Sequence, residues 1–314
     1  MGKWNTFCCV LKKNKEAIPQ LVVENLTKRK LLNWMSDSAY LKLRYRTIFH
    51  KKLNLKNPKT FNEKLQWLKI YDRKPEYIAL VDKVAVKDYI SQKIGSEYVI
   101  PTIGVWQNVD EIHIEELPNQ FVLKCNHDSG SVVICRDKRT FNWEKAKEKL
   151  RKKQNSNLFW FGREWPYKHV KPCIMAEVYM EDETQKQGLT DYKFYCFNGE
   201  PKFLYVSQGL EDHSTAIISF LTPDWTMAPY RRMDFKPLDE CPPQPKNYLK
   251  MREFSRKLSE GYPFARVDMY EINGKLYFSE LTFFPSSGFT PFVPDEWDGI
   301  IGDWLVLPEK TCGK

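Results

Sequence analysis

Two acids set inside a hydrophobic hairpin constrain this chain more than any other feature. Residues 266–289 read RVDMYEINGKLYFSELTFFPSSGF. Aromatic and aliphatic runs flank the turn dipeptide Asn273-Gly274, which predicts two antiparallel strands. Asp268 and Glu280 lie within those runs. Carboxylates in such company need partners, because an unpaired buried charge costs several kcal/mol or takes up a proton. Register decides whether the two acids meet. A two-residue Asn273-Gly274 turn pairs Asp268 with Ser279 and Val267 with Glu280, sending the acids to opposite faces. A three-residue loop, in which Gly274 closes a type I turn as a bulge, turns Arg266, Asp268, Glu280 and Thr282 to one face. Such a face suits a divalent metal carrying phosphates, since hard cations prefer carboxylate oxygens and an arginine meets the remaining anionic charge. A surface hairpin with solvated charges on one side would be written in the same letters.

The chain of 314 residues is 42% hydrophobic, enough for a substantial core in one multi-lobed unit or two domains. A net charge of +9, with basic residues scattered through most of the chain, favours an anionic partner without singling out nucleic acid. Eight cysteines, none in a Cys-x-x-Cys pair and none preceded by a secretory signal, suggest reduced thiols in a cytoplasmic protein. No apolar run reaches the roughly 20 residues of a membrane span. The opening MGKWNTFCCV fits the Met-Gly-x-x-x-Thr pattern of myristoylation, with Cys8 and Cys9 as palmitoylation candidates.

Residues 1–30 otherwise read as a poorly ordered leader. Helical spacing follows through LTKRKLLNWMSDSAYLKLRYRTIF, and NPKTFNEKLQWLKIYDR offers Asn or Thr caps before an amphipathic run. EYIALVDKVAVKDYISQKIG predicts one or two further helices stopping at Gly95. From YVIPTIGVW the period shifts to strands. NQFVLKCNHDSGSVVICRD reads as strand, polar loop, strand; TFNWEKAKEKLRKKQ as a charged helix; KPCIMAEVYM as a strand. DYKFYCFNGEPKFLYVSQG predicts another Asn-Gly hairpin, and a long proline-rich loop leads into the helix YLKMREFSRKLSEG. The layout is α+β, with a helical front and antiparallel sheets behind.

In LKCNHDSGSVV, Lys124 ends a strand and a small polar loop follows. Such a loop can aim backbone N–H groups at a phosphate while the lysine supplies counter-charge, and an ordinary hairpin turn with a snorkelling lysine reads the same way. P-loop and Rossmann signatures are missing, the five histidines do not form a zinc helix, and no Asp-x-Asp occurs. The last absence counts against a metal-dependent sugar transferase.

A lysine–glycine loop, a strand ending in Glu177, and a hairpin carrying Arg, Asp and Glu follow one another in the order of the ATP-grasp superfamily. The detailed wording resembles its TupA-like branch, found in surface-polysaccharide and teichuronopeptide gene clusters. It does so in LNLKNPKTFNEKLQWLKIYDR, VDKVAVKDYI, IPTIGVW, FVLKCNHDSG, REWPY, DYKFYCFNGEPKF, the hairpin and PDEW. The resemblance implies an ATP-grasp fold in which two α+β subdomains clamp a nucleotide behind a helical N-terminal region. The expected divisions are 31–95 for that region, 96–172 for a lid subdomain, 173–305 for a C-terminal core and 306–314 for a tail.

The resemblance also implies ATP and Mg²⁺ as cofactors. Lys83 and Lys124 would contact phosphates or adenine, and residues 126–130, among them Asn126, His127, Ser129 and Gly130, would fold over the triphosphate. Glu177 would accept from the adenine amino group, with backbone near Tyr179 and Met180 reading the ring. Glu183, or equally Asp182, would take the ribose, and Lys193 a phosphate. Asp268 and Glu280, with Thr282, would hold magnesium, and Arg266 would serve the transition state. Most of the superfamily writes Glu-x-Asn where this chain has Glu280-Leu281-Thr282, so a second metal would be held more weakly or through water. Phe278, Phe283, Phe284 and Phe289 are expected to be packing. Trp160, Arg163, Glu164 and Trp165 are candidates for acceptor contact.

The activity so implied is a carboxylate–amine ligase working through an acyl phosphate. Its partners would be a uronic acid on a sugar nucleotide or polysaccharide and an amino acid or amino alcohol, with no nucleic acid. A cytoplasmic place, in peripheral contact with polysaccharide assembly at the membrane, would follow. A glycosyltransferase and a non-catalytic nucleotide- or glycan-binding scaffold are the alternatives.

Overall fold

The computed structural model describes residues 17–185, 188–209 and 216–310. The lipidation pattern at residues 1–9 lies outside them. Five helices open the described chain: α1 (Ile18–Lys28), α2 (Asp37–Phe49), α3 (Phe61–Tyr71), α4 (Glu76–Val81) and α5 (Val86–Ile94). The helical front is therefore present, and it begins earlier than expected. α1 lies in the stretch read as a disordered leader, because Val23 and Thr27 bury one side of it and the Thr27 hydroxyl meets Tyr40 Oη at 3.1 Å. Thr60 caps α3 in a capping box with Glu63. Within that first turn Asn62 is bound twice to Asp298 Oδ1, through its backbone N–H and its amide, both at 2.9 Å. That link seats the helical front on the helix Glu296–Trp304, and it needs Gly302, whose missing Cβ would fall 2.3 Å from the Lys59 carbonyl.

Two antiparallel sheets follow. Strands β1 (Thr102–Trp106), β2 (Phe121–Cys125), β3 (Val133–Cys135) and β4 (Ile174–Val178) form the first in the order β1-β4-β2-β3. Its small core, with Phe121, Leu123 and Ile174, is closed by Leu150 of the charged helix α6 (Trp143–Gln154). β4 lies beyond the expected boundary at 172 yet pairs with β1 and β2, so the sheet reaches into the stretch assigned to the core. The second sheet, β10-β9-β5-β6-β7, comprises β5 (Asp191–Phe197), β6 (Glu200–Gln208), β7 (Ile217–Leu221), β9 (Phe264–Ile272) and β10 (Lys275–Thr282). Between β7 and β9 the chain carries β8 (Arg231–Arg232) and the helix at Tyr248–Ser259. This sheet shares the large aromatic core with α2–α5 and that helix. Among the described residues no helix is long and apolar enough to cross a membrane. Cys125, Cys135, Cys173 and Cys196 are buried free thiols, and Cys241 is an exposed one.

The register of β9 and β10 resolves the opening puzzle in an unexpected way. Lys275 pairs with Ile272, so the loop holds two residues, with Asn273 at φ 49° and Gly274 at φ 76°. This primed turn matches the twist of a hairpin. The three-residue loop is not formed. Instead the ladder shifts between Phe278 and Glu280, and Ser279 is the extra residue of a bulge. Beyond it Glu280 faces Asp268 and Thr282 faces Arg266. The bulge exchanges the faces of every residue that follows, which brings the acids together after all.

Candidate active site

The hairpin face and β5 build one compact charge cluster. Arg266 and Asp268, two apart on β9, point the same way, and β5 adds Lys193 directly opposite Asp268. Arg266 donates from Nε to Asp268 Oδ1 at 2.7 Å and from Nη2 to Oδ2 at 2.6 Å. The same Nη2 reaches Glu280 at 3.4 Å and the Thr282 hydroxyl at 3.1 Å. Lys193 Nζ donates to Asp268 Oδ2 at 2.7 Å and stands 3.1 Å from Asp191 Oδ1. Lys83 arrives from the turn between α4 and α5, with Nζ 3.4 Å from Glu280 Oε1.

Burial sets the electrostatics. It opposes the charge on Lys193, yet Asp191 and Asp268 raise the ammonium well above its usual range. It opposes the charge on Arg266 too, and Asp268 with Tyr205 overcomes it. Burial pushes Asp191 up. For Glu280 burial also pushes upward, but Lys83, Arg266 and Lys193 outweigh it and leave the carboxyl at about 2. A carboxyl whose pKa is lower folded than unfolded contributes stability above the unfolded value and loses it as pH falls through the folded one. Glu280 should therefore support the fold by at most about 3 kcal/mol above pH ~4.5, fading toward pH ~2. Acid titration of wild type against Glu280→Gln, followed by near-ultraviolet dichroism, checks this: the variant should lose the steepest part of the acid limb.

The donor set fits magnesium. Two carboxylates and a hydroxyl already converge on a single nitrogen of Arg266, all are hard oxygen donors, and the Glu280 side chain is 31% exposed, so phosphate or water oxygens have access. Among the described residues no group of three His, Cys, Asp or Glu gathers around a metal position. The protein would thus supply few ligands and leave the rest to phosphate and water, which is the habit of Mg²⁺.

A second cluster lies at the end of β4. Glu177 is buried, and its two oxygens stand 2.6 Å from Lys87 and 2.6 Å from Lys124. Burial pushes the Glu177 carboxyl up, but the two lysines prevail and it lies below the usual range. Burial likewise lowers Lys87, against the pull of Glu177. Sequence reasoning missed Lys87. No local pattern marks it, since its partner Glu177 lies 90 positions further along the chain. Asp191 was missed as well, and its signal was the two-residue step from Lys193 on a strand.

The loop after Lys124 divides into scaffold and tip. Asn126 is fully buried; its amide nitrogen donates to Asp82 at 2.9 Å and to the Lys171 carbonyl at 3.0 Å, and its oxygen accepts from Cys173 N at 2.8 Å. His127 is buried between Asn126 Oδ1 at 3.1 Å and the Ser156 carbonyl at 2.9 Å. Both side chains are engaged by the frame. Ser129 and Gly130 form the exposed tip, where φ of 87° at Gly130 favours glycine. Lys83 ties the loop to the hairpin by donating to the Asp128 carbonyl at 2.7 Å.

In the linker after β4, Tyr179 Oη accepts from Arg136 at 3.1 Å and Met180 is half-buried. Glu183 is exposed, whereas Asp182 is buried and accepts from Thr184, Gln185 and the backbone of Asn273. Asp182 therefore fastens the linker to the hairpin turn and is not free for a ribose. Arg163, Glu164 and Trp165 are buried, not displayed, and the Arg163 guanidinium lies 4.6 Å from the Tyr40 ring and 4.9 Å from Trp160. These residues are packing in this structure, and so are Phe278, Phe283, Phe284 and Phe289.

Behind the β9–β10 hairpin, Pro285–Gly288 holds three successive left-handed residues: Ser286 at φ 49°, Ser287 at 55° and Gly288 at 60°. Two of these are serines, a strained choice that needs outside support. α3 provides it. The fully buried Lys69 donates to the carbonyls of Ser287 and Gly162, each at 2.7 Å, and Gln66 donates to Ser287 O at 3.1 Å and Gly288 O at 2.6 Å. The Ser287 hydroxyl donates to Glu164. Burial drags Lys69 down to about 7 against the attraction of Glu164, and burial raises Glu164.

The sequence model described as TupA-like ATPgrasp matches residues 63–306. No curated protein matches the chain. Among solved structures, a D-alanine–D-alanine ligase from Bacillus anthracis complexed with ATP is 13% identical, with a TM-score of 0.38 over 65% of this chain and 54% of that one. This chain thus spans about half the length of that ligase. The D-alanine–D-alanine ligase from Helicobacter pylori is 12% identical, with a TM-score of 0.44 over 80% of this chain and 68% of that one. A RimK domain ATP-grasp protein from Sphaerobacter thermophilus DSM 20745 is 13% identical, with a TM-score of 0.40 over 75% and 70%.

Proposed function

This chain belongs to the TupA-like ATP-grasp family, and from that premise we propose that it is an ATP- and magnesium-dependent ligase joining a carboxylate to an amine. The observation that supports this most directly is the convergence of Asp268, Glu280 and Thr282 on one Arg266 nitrogen, with Lys83 and Lys193 beside them. Three cations around two metal-capable acids suit a bound triphosphate and serve no evident purpose in packing.

In the proposed reaction a carboxylate oxygen of the acceptor attacks the γ-phosphorus, the bond to the β-bridging oxygen breaks, and ADP leaves. The amine then attacks the acyl carbon, loses a proton, and expels inorganic phosphate to leave an amide. Lys83 and Lys193 would hold phosphoryl oxygens in line, and the Ser129–Gly130 tip would cover them. Lys124 and Lys87 would keep the Glu177 carboxylate aimed at the exocyclic amine of the base. Arg266 would turn part of its guanidinium to the oxyanion of the tetrahedral species. Magnesium, held by Asp268 and Glu280 with Thr282, would offset charge on the phosphates. Family context favours a uronic acid, on a nucleotide sugar or a surface glycan, as the acceptor and an amino acid or amino alcohol as the amine.

Release of ADP from a panel of uronates and amines tests the proposal. Release that needs both substrates is the expected result. Cleavage of a sugar nucleotide without ATP would make the protein a transferase, and silence across the panel would leave a binding scaffold. Arg266→Ala should lower kcat by about a hundredfold or more. Its ATP affinity should change little, since the acids it releases remain available to magnesium. Equal losses in turnover and ATP binding would remove Arg266 from the transition state.

A further inference from the structure

The junction of α1 and α2 presents a surface that none of this chemistry uses. Trp34 is 83% exposed and Leu31 is 54% exposed, and Val22 of α1 is also exposed. Lys28, Arg29 and Lys30, which immediately precede Leu31, are exposed too, and among the described residues none of them has an ion-pair partner. The surface is not a frayed end. α1 is anchored by buried Val23 and Thr27, and Trp34 Nε1 donates to the Leu31 carbonyl at 3.0 Å. That bond satisfies the only polar group of the indole, so the ring shows water its hydrocarbon alone. The sequence that leads into this surface is basic as well. Residues 1–30 contain seven Lys or Arg and two Glu, which places five of the nine net positive charges in that short stretch.

We propose that this surface docks on an anionic lipid bilayer, with Trp34 and Leu31 in the headgroup layer and Lys28, Arg29 and Lys30 against lipid phosphates. A tryptophan beside an aliphatic residue and a run of flexible cations is what a bilayer surface selects, because lipid asks for apolar area and charge density and for no fixed hydrogen-bond geometry. A folded protein partner would be expected to use the indole N–H, and here that donor is already taken. The proposal stands independently of the ligase reading.

Co-sedimentation of the full chain with vesicles tests it. Vesicles rich in phosphatidylglycerol should retain the protein, those of phosphatidylcholine alone should retain far less, and added salt should release it. Changing Lys28, Arg29 and Lys30 together to Gln should weaken retention by about fivefold per cation, on the order of a hundredfold in all. Trp34→Ser should also weaken it and should abolish the part of the vesicle-induced blue shift in fluorescence that Trp34 contributes. All these side chains are exposed, so both variants should melt like wild type and keep its solution turnover. Equal retention by the two lipids, or full retention of either variant, would overturn the proposal. So would a Trp34-dependent dimer in the absence of lipid, which would make the patch a contact between copies of this chain.

Discussion

Asp268→Asn is expected to lower stability by about 3–5 kcal/mol and to reduce ADP production to background. The side chain is fully buried, and its two oxygens accept three bonds, at 2.7, 2.6 and 2.7 Å, from Arg266 and Lys193. Asparagine keeps the shape and removes the charge, leaving two buried cations against each other with only Asp191 and Glu280 to answer them. An uncompensated buried charge is the expensive outcome, more so than the loss of an ion pair as a whole. Denaturant unfolding of the single variant and of Asp268→Asn with Lys193→Met measures this. The second change should restore part of the stability without restoring turnover. A single variant as stable as wild type would mean that Asp268 does not hold the cations, and the charge balance described for the site would fall.

Lys69→Met is the second change with a large expected effect, about 3 kcal/mol or more in stability. Lys69 is fully buried and has three acceptors: Gln66 Oε1 at 2.9 Å and the Gly162 and Ser287 carbonyls at 2.7 Å each. Methionine fills the volume but leaves Gln66 Oε1 and the Gly162 carbonyl without a donor, leaves the Ser287 carbonyl to Gln66 alone, and deprives Glu164 of its opposing charge. The left-handed segment behind the hairpin would lose one of the three bonds that α3 gives it, so turnover should fall along with the melting point. Pairing Lys69→Met with Glu164→Gln should cost less than the two single changes added together. Strict additivity would show that the two groups do not sense each other.

Much of the architecture was legible because each signal was local. Both Asn-Gly hairpins, the strand–loop–strand around Lys124 and the charged helix at Trp143–Gln154 follow from period and turn chemistry. The meeting of Asp268 with Glu280 was anticipated, but through the wrong device: a turn dipeptide announces itself, whereas Ser279, the extra residue of the bulge, resembles any strand serine. The sharing of Glu177 by Lys87 and Lys124 was not legible, since those residues come from separate segments and only the folded chain brings them to 2.6 Å. The same holds for Asp182, whose partner Asn273 lies 91 positions away. Arg163, Glu164 and Trp165 misled for the opposite reason: mixed charge and aromatics suggest a surface, while here cation–ring contacts allow arginine to be buried.

Parity is what the displaced serine of β10 safeguards. Whether the carboxylate at 280 looks toward or away from its partner depends on the number of residues after the Asn-Gly corner being odd or even, whatever their identities. Straightening the ladder while keeping Ser279 would pair that serine with Asp268 and carry Glu280 through to the far side of the sheet, whereas deleting Ser279 would leave Glu280 opposite Asp268 in an unbulged strand. Relatives one position shorter in this interval should keep their chemistry on a straight strand, and those of this length should keep the bulge.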